Sequence, residues 1–407
     1  MSIKYVAKQD VFFHTSQAEM YRRHEAIRAM LRENHVGAAV LISRNGAPRS
    51  YLRGGRFGGI LSGGDGIYSG GDILLADGDM YITGDVDGFT QWAVGHRSPV
   101  TPSVEPGVWE LAEFDAALIL DGFQSAGNRR LGLIYPDMMD IALAEYLQAY
   151  VGDYEAVDLT AAFEQLWTKR SPEEIEMERR VVQMHEQVFR AIPAVLHSGM
   201  TEHECVSRIR DLFYRNGCGD LTRWIDCWME LRSGNDGMPE EPEQAFPGRV
   251  LKKGDRVDIA VHAIGENTLY AMCARSFVLA DAPEPETAEL WNAAVSAQRL
   301  AAEQLRPGAV LKSIARQVNE SFKAAGLETD DSNFLHAIGY DMEETPCLYD
   351  ASENMPLQPG MVIAVMPTAR KKGLAPMCCG DVFVVTEQGG QRLGNLPQEI
   401  VPVYGLY

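Results

Sequence analysis

Hydrophobic and polar positions alternate along the first part of the chain in a mixture of helical and strand-like spacing. Residues 17–35 carry apolar positions near helical spacing, including Ile27 and Met30, and a short apolar run follows at residues 38–42. Further short apolar runs predict strands at residues 73–75, 80–82 and 131–134. This pattern predicts an α/β domain over residues 1–160.

Two helix-start signals open the second part. Ser171 and Glu174 occupy the N-cap and N3 positions of a capping box, which predicts a helix to about residue 197. Thr201 and Glu204 repeat the pattern and predict a helix to about residue 216. Later strand-like runs and helical stretches lie at residues 256–263, 269–279, 287–305, 311–325, 361–366 and 382–386. The pattern predicts a second domain, of α+β type, over residues 161–407.

Composition restricts the partners and the compartment. The 407 residues exceed the usual size of one hydrophobic core, and the net charge of −20 would repel a nucleic-acid backbone. No apolar stretch reaches the roughly 18 residues of a membrane helix, and the N-terminus lacks a signal-peptide pattern. Seven cysteines without a C-x-x-C pair indicate reduced thiols. We therefore expect a cytoplasmic protein with no membrane or nucleic-acid partner.

A glycine- and arginine-rich segment at residues 44–66 is typical of a loop with tight turns. It contains Arg53, Arg56 and Phe57. Because an arginine fork pairs well with a carboxylate, Arg53 and Arg56 suit a substrate with a carboxylate, and we expect them and the neighbouring Phe57 to contact a substrate.

Six short phrases in the second part carry a family resemblance by their order and spacing. They are residues 169–175, 198–202, 251–255, 306–309, 336–339 and 359–362. Together they resemble the pita-bread superfamily that includes creatinase, methionine aminopeptidase, prolidase and aminopeptidase P. The resemblance implies a creatinase-like N-terminal domain, a C-terminal pita-bread domain of catalytic type, and a homodimer.

Metal-dependent members of that superfamily hold two divalent ions with two Asp, one His and two Glu. In this chain only the His is kept, as His336. The other positions correspond to Ala260, Met272 to Ala274, Met366 and Gly380. Hard divalent ions need several oxygen donors, so we expect no metal and no cofactor. A soft-metal site formed by Cys273, Cys378 and Cys379 with His336 is the alternative.

The expected activity follows from these departures. Creatinase is a metal-free member that opens a carbon–nitrogen bond in a small non-peptide molecule, and this chain resembles it in length and plan. We expect a metal-independent hydrolase cleaving a C–N bond of a small polar metabolite. The alternatives are a metal-free lyase, a binding or scaffold protein without catalysis, and, least favoured, a metal-dependent prolyl peptidase.

The candidate catalytic residues are His336, Glu344 and Glu243. An imidazole moves protons well near pH 7, and a buried carboxylate can act as a base. Glu344 stands where relatives carry a Glu, and Glu243 lies in an acidic loop where other members place a His. Beside Arg53, Arg56 and Phe57, the expected substrate contacts are Glu343, His262 and Tyr270.

Overall fold

The computed structural model describes residues 15–36, 38–42, 71–75, 80–82, 92–94, 130–138, 155–218, 227–234, 248–265 and 268–403, together with residues 141, 144–145 and 148–149. The chain divides into two compact units. They are Met1–Trp167 with Leu221–Trp224, and Thr168–Asp220 with Ile225–Tyr407. Within the described part, no helix has both the length and the apolar character needed to cross a membrane.

The first unit contains a mixed sheet whose six described strands run in the order β4-β3-β2-β1-β5-β6. Strands β1, β5 and β6 are parallel, and the remaining pairs are antiparallel. On the accompanying helix α1, Ile27 and Met30 are buried, as their helical spacing predicts. The elements are α1 (Gln17–Glu33), β1 (Ala38–Ile42), β2 (Gly71–Leu75), β3 (Met80–Ile82), β4 (Trp92–Val94), β5 (Arg130–Ile134), β6 (Glu155–Asp158) and α2 (Thr160–Thr168). The predicted α/β character is confirmed.

The second unit begins with two helices and continues into sheets. Its elements are α3 (Pro172–Ala191), α4 (Glu202–Arg215), β7 (Cys227–Ser233), β8 (Arg256–Ile264), β9 (Tyr270–Val278), α5 (Pro285–Gln304), α6 (Leu311–Ala324), β10 (Leu335–Ala337), β11 (Glu344–Cys347), β12 (Val362–Val365), β13 (Thr368–Ala369), β14 (Met377–Cys378), β15 (Asp381–Thr386), β16 (Gly389–Arg392) and β17 (Val401–Pro402). The described strands form sheets in the orders β17-β9-β8-β7 and β11-β10-β12-β15-β16, with β13 and β14 as a separate pair.

The hydrophobic core of this unit lies between the helices α5 and α6 and the five-stranded sheet. Trp291 and Phe322 come from the helices, and Phe334 and Phe383 come from the strands or their approaches. All four side chains are buried. Because the aromatic rings bury large apolar areas, this packing fixes the sheet against the helices.

Both predicted capping boxes are present. The Glu174 N–H donates to Ser171 Oγ at 3.2 Å, and the Ser171 N–H donates to Glu174 Oε2 at 2.7 Å. The predicted end of the first helix near residue 197 is wrong, because α3 ends at Ala191 and a 3-10 turn, Ile192–Ala194, follows. Pro193 lies in that turn and has no N–H to continue the α-helical ladder.

Candidate active site

One face of the four-stranded sheet carries the positions that the resemblance assigns to metal ligands. His262 on β8 pairs with Trp228 on β7 and with Met272 on β9. Two residues away on β8, Ala260 pairs with Ala274. Because side chains alternate along a strand, Ala260 and His262 lie on the same face, as do Met272 and Ala274. These four residues offer one imidazole, one thioether and two methyl groups.

A single backbone bridge joins this face to the five-stranded sheet. The Ala274 N–H donates to Gly380 O at 3.1 Å, and the Gly380 N–H donates to Ala274 O at 3.2 Å. A Cβ placed on Gly380 would lie 2.5 Å from Met272 Cε and 3.0 Å from the Ala274 Cβ. The Met272 side chain therefore fills the space that a carboxylate at position 380 would need.

We predict that Gly380→Ala lowers the free energy of unfolding by about 1–2 kcal/mol, because the added methyl group overpacks this bridge. In a Met272→Ala background the same change is expected to cost close to nothing, since its main neighbour is gone. Urea denaturation followed by fluorescence measures both values. Gly248→Ala is the control, because a Cβ there meets nothing within 4 Å. Equal costs of Gly380→Ala in the two backgrounds would contradict this packing.

His336 is buried in β10, where the pairing with β11 shifts in register. It is 1% exposed, and its Nδ1 lies 3.0 Å from the carbonyl oxygen of Ala337. Because a carbonyl only accepts, Nδ1 carries the proton and Nε2 presents a lone pair. Burial lowers the pKa of His336, against opposing contributions from the Ala337 carbonyl and Glu343. The imidazole is thus neutral at pH 7 and can accept a proton.

His262 lies beside His336 in the structure. Neither position in the sequence indicates this proximity. The two ring centroids are 6.0 Å apart and the rings are inclined by 28°. His262 Nε2 is buried without a hydrogen-bond partner in the described residues. Burial, followed by the nearby imidazoles of His336 and His185, lowers the pKa of His262 to about 3. Two neutral imidazoles therefore share this part of the site.

Glu344 is held by two donors. Arg170 Nη2 donates to Glu344 Oε2 at 2.5 Å, and the Asp341 N–H donates to Oε1 at 2.9 Å. The side chain is buried, and burial raises its pKa while Arg170 opposes the rise. With both oxygens occupied, Glu344 anchors the segment after His336, so its contacts favour positioning over proton transfer.

Of the other predicted substrate contacts, the structure describes Glu343 and Tyr270. Glu343 is exposed and accepts a hydrogen bond from Asn333 Nδ2 at 3.0 Å. Tyr270 is buried at the start of β9, on the same face as Met272, and its N–H donates to Gly339 O at 2.6 Å. Four candidates lie outside the described residues, namely Arg53, Arg56, Phe57 and Glu243.

The described residues do not fit a pair of divalent metal ions. Of the positions that the resemblance assigns to ligands, only His336 keeps the family's ligand. The others are Ala260, the range Met272 to Ala274, Met366 and Gly380, and none of them carries a carboxylate. Across the described part of the chain, no three His, Cys, Asp or Glu side chains lie close enough to hold one ion. The alternative soft-metal site at Cys273, Cys378 and Cys379 is therefore wrong. Hard divalent ions require several oxygen donors, which these positions lack.

Two important residues, Arg170 and Glu178, were missed by sequence reasoning. Arg170 directly precedes the capping box of α3, and Glu178 lies on the buried face of that helix beside Met177 and Val181. A charged residue between apolar residues on the buried helical face was the available signal. Its meaning depends on contacts with residues far away in sequence.

Comparison with known proteins gives consistent matches over the second unit and over the whole fold. Residues 176–395 match the model of Metallopeptidase family M24. The uncharacterized peptidase YqhT of Bacillus subtilis is 24% identical over 297 residues, which are 72% of this chain and 81% of that protein.

Two solved structures share the fold along almost the whole chain. Dipeptidase PepE from Mycobacterium ulcerans has a TM-score of 0.71 at 20% identity and covers 96% of this chain and 100% of its own. Xaa-Pro dipeptidase from Bacillus anthracis has a TM-score of 0.72 at 16% identity. The match covers 94% of this chain and 99% of that one. The predicted two-domain pita-bread fold is confirmed.

These matches correct the expected activity. The sequence-based expectation of a creatinase-like, metal-independent hydrolase of a non-peptide C–N bond is wrong, because the matching family is a metallopeptidase family and the relatives are named peptidases and dipeptidases. The least favoured alternative, a peptidase, is the one to which they point. That expectation rested on missing ligands, and the absence of a few side chains does not by itself identify a substrate.

Proposed function

The chain belongs to metallopeptidase family M24, and from this premise we propose that it is a hydrolase of short peptides. The observation that carries the proposal is the family match over residues 176–395, which includes both strands of the site face and His336. The dipeptidase names of two structural neighbours support a substrate of two residues.

The imidazoles provide the polar contacts in this proposal. His336 presents an Nε2 lone pair that takes a proton from the water attacking the peptide carbonyl. The protonated ring then gives this proton to the leaving amine nitrogen as the C–N bond breaks. The buried Nε2 of His262, which has no partner among the described residues, contacts the substrate beside it. Tyr270 lies on the same face at the start of β9. Both rings are held by β-strands, which favours a fixed geometry for the reacting groups.

The remaining surface of the site suits an apolar peptide side chain. Met272 supplies a thioether, and Ala260, with only a methyl group, leaves room above the strands. Methionine adapts its shape to irregular apolar groups, so this floor favours a substrate with an aliphatic residue. Because the donor set does not fit a pair of divalent ions, every role assigned here belongs to side chains of this chain.

The test is a panel of dipeptides with aliphatic, aromatic, charged and prolyl residues at each position. We expect the purified protein to release free amino acids from at least one aliphatic dipeptide, measured by mass spectrometry. Parallel reactions contain chelator, or added Mn²⁺, Co²⁺ or Zn²⁺, because the relatives belong to a metallopeptidase family. Intact dipeptides in every reaction would contradict the proposal.

A further inference from the structure

A compact group of ionisable side chains lies behind the segment that carries His336. It comprises Arg170, Glu174 and Glu178 from the start of the second unit, and Tyr340 and Glu344 from the segment after His336. Arg170 is 4% exposed, Glu174 and Glu178 are 0% exposed, Tyr340 is 1% exposed and Glu344 is 6% exposed. Three carboxyl groups thus surround one guanidinium with almost no access to water.

Arg170 connects this group to the backbone near His336. Its Nη2 donates to Glu344 Oε2 and also to the carbonyl oxygen of Ile338 at 3.1 Å. Its guanidinium carbon lies 4.8 Å from the centroid of the Tyr340 ring. The Arg170 head group therefore holds the segment at a point two residues beyond His336.

Glu178 lies beside the same guanidinium. Its Oε1 is 3.8 Å from Arg170 Nε, and neither of its oxygens has a hydrogen-bond partner within the described residues. A Cβ at Gly339 would collide with Glu178 Oε1 and Arg170 Nη2. The backbone of the His336 segment therefore rests directly on the Arg170–Glu178 pair.

The three carboxyl groups differ in the donors that they meet. Glu174 accepts from the Tyr340 hydroxyl and from the Ser171 N–H, and Glu344 accepts from Arg170 and the Asp341 N–H. Glu178 receives no such bond. A buried anion without hydrogen bonds is costly, whereas a protonated carboxyl group is tolerated.

The pKa of Glu178 is consistent with its lack of hydrogen bonds. Burial raises the pKa of Glu178 well above its usual range; Arg170 opposes the rise, and Glu344 and Glu174 add to it. When Glu178 is neutral, Arg170 forms its ion pair with Glu344. Burial raises the pKa of Glu344, and Arg170 lowers it.

We infer that Glu178 is a neutral carboxylic acid and a positioning residue, which keeps Arg170 directed at Glu344 and Ile338 and thereby holds the segment that carries His336. The catalytic part of this inference rests on the proposed peptide hydrolysis. The protonation state of Glu178 does not rest on that activity, because it is tested through the pH dependence of unfolding.

The first test is the dependence of stability on pH for wild type and for Glu178→Gln. Glu178 binds a proton in the folded state, whereas an unfolded Glu loses it above about pH 4.3. Between that value and the raised pKa of the folded protein, the unfolding constant of wild type is expected to rise about tenfold per pH unit relative to Glu178→Gln. Urea denaturation at pH 5, 6, 7 and 8 measures this difference.

Glu176→Gln is the matched control, since Glu176 lies on the same helix with its side chain 56% exposed. It is expected to keep the pH dependence of wild type. Parallel stability curves for wild type and Glu178→Gln would overturn the inference of a neutral Glu178, whether or not any peptide is hydrolysed.

The second test uses turnover of the best dipeptide from the panel. Glu178→Gln preserves the shape of the neutral acid and is expected to keep kcat within about twofold, whereas Glu178→Met is expected to lower kcat about tenfold with little change in KM. Rescue by glutamine separates positioning from a loss of folding, which urea denaturation monitors. Equal losses in both variants would overturn the positioning role, and a panel with no turnover would count against the proposed function alone.

Discussion

Replacing His336 by glutamine is expected to lower kcat for the best dipeptide substrate by about 10²–10⁴-fold, because general acid–base catalysis by a positioned side chain contributes about that much. The variant keeps a polar side chain but loses the basic lone pair of Nε2. That lone pair is present in wild type because Nδ1 carries the ring proton and donates it to the Ala337 carbonyl. Steady-state kinetics at pH 7 measures the loss.

The pH dependence of activity provides an independent test of the role of His336. A buried imidazole whose pKa is lowered stays neutral as the pH falls, so activity is expected to persist below the usual histidine value of about 6.5 and to decline only through the lowered pKa. His197→Gln is the control, because His197 is exposed. Full activity of His336→Gln would show that another group accepts the proton.

Replacing Arg170 by methionine is expected to lower the free energy of unfolding by about 3–5 kcal/mol, which is typical when one partner of a buried ion pair is removed. The change leaves Glu344 buried without its guanidinium and removes the donor to the Ile338 carbonyl. Urea denaturation measures the loss. Domain-specific probes are needed, since a chain with two compact units can unfold in more than one step.

Arg316→Met is the control for the arginine at position 170. Arg316 is 73% exposed and lies 3.9 Å from Glu320 on the same helix, so its replacement is expected to change stability by less than about 0.5 kcal/mol. Similar effects of the two substitutions would mean that the Arg170 cluster is open to water and that its charges are screened.

Much of the fold could be predicted because its signals are local. A capping box needs only residues three positions apart, so Ser171 and Thr201 mark the starts of α3 and α4 from sequence alone. Strand spacing likewise located β8 and β9 to within two residues. The helix end at Ala191 was missed although Pro193 was visible, because apolar spacing continued beyond it.

The activity could not be predicted in this way. The missing carboxylates favour a different substrate class when the sequence is considered alone, and the match to family M24 overturns that interpretation. The structure brings Met272 and Gly380 together beside the strand that carries Ala260, an arrangement that does not by itself identify a substrate. Residue identity determines which groups are present, whereas the substrate depends on how the site arranges those groups in space.

The sequence by itself determined the elements, the family phrases and the identity of each side chain at the site. Only the tertiary structure decided which side chains meet. Arg170 contacts Glu344 across 174 positions of sequence, His262 lies beside His336, and Met272 fills the space above Gly380. The physical reason is that hydrogen-bond patterns at helix ends and strand alternation act over a few residues, whereas burial, and the pKa changes it causes, depends on chain segments brought together by packing.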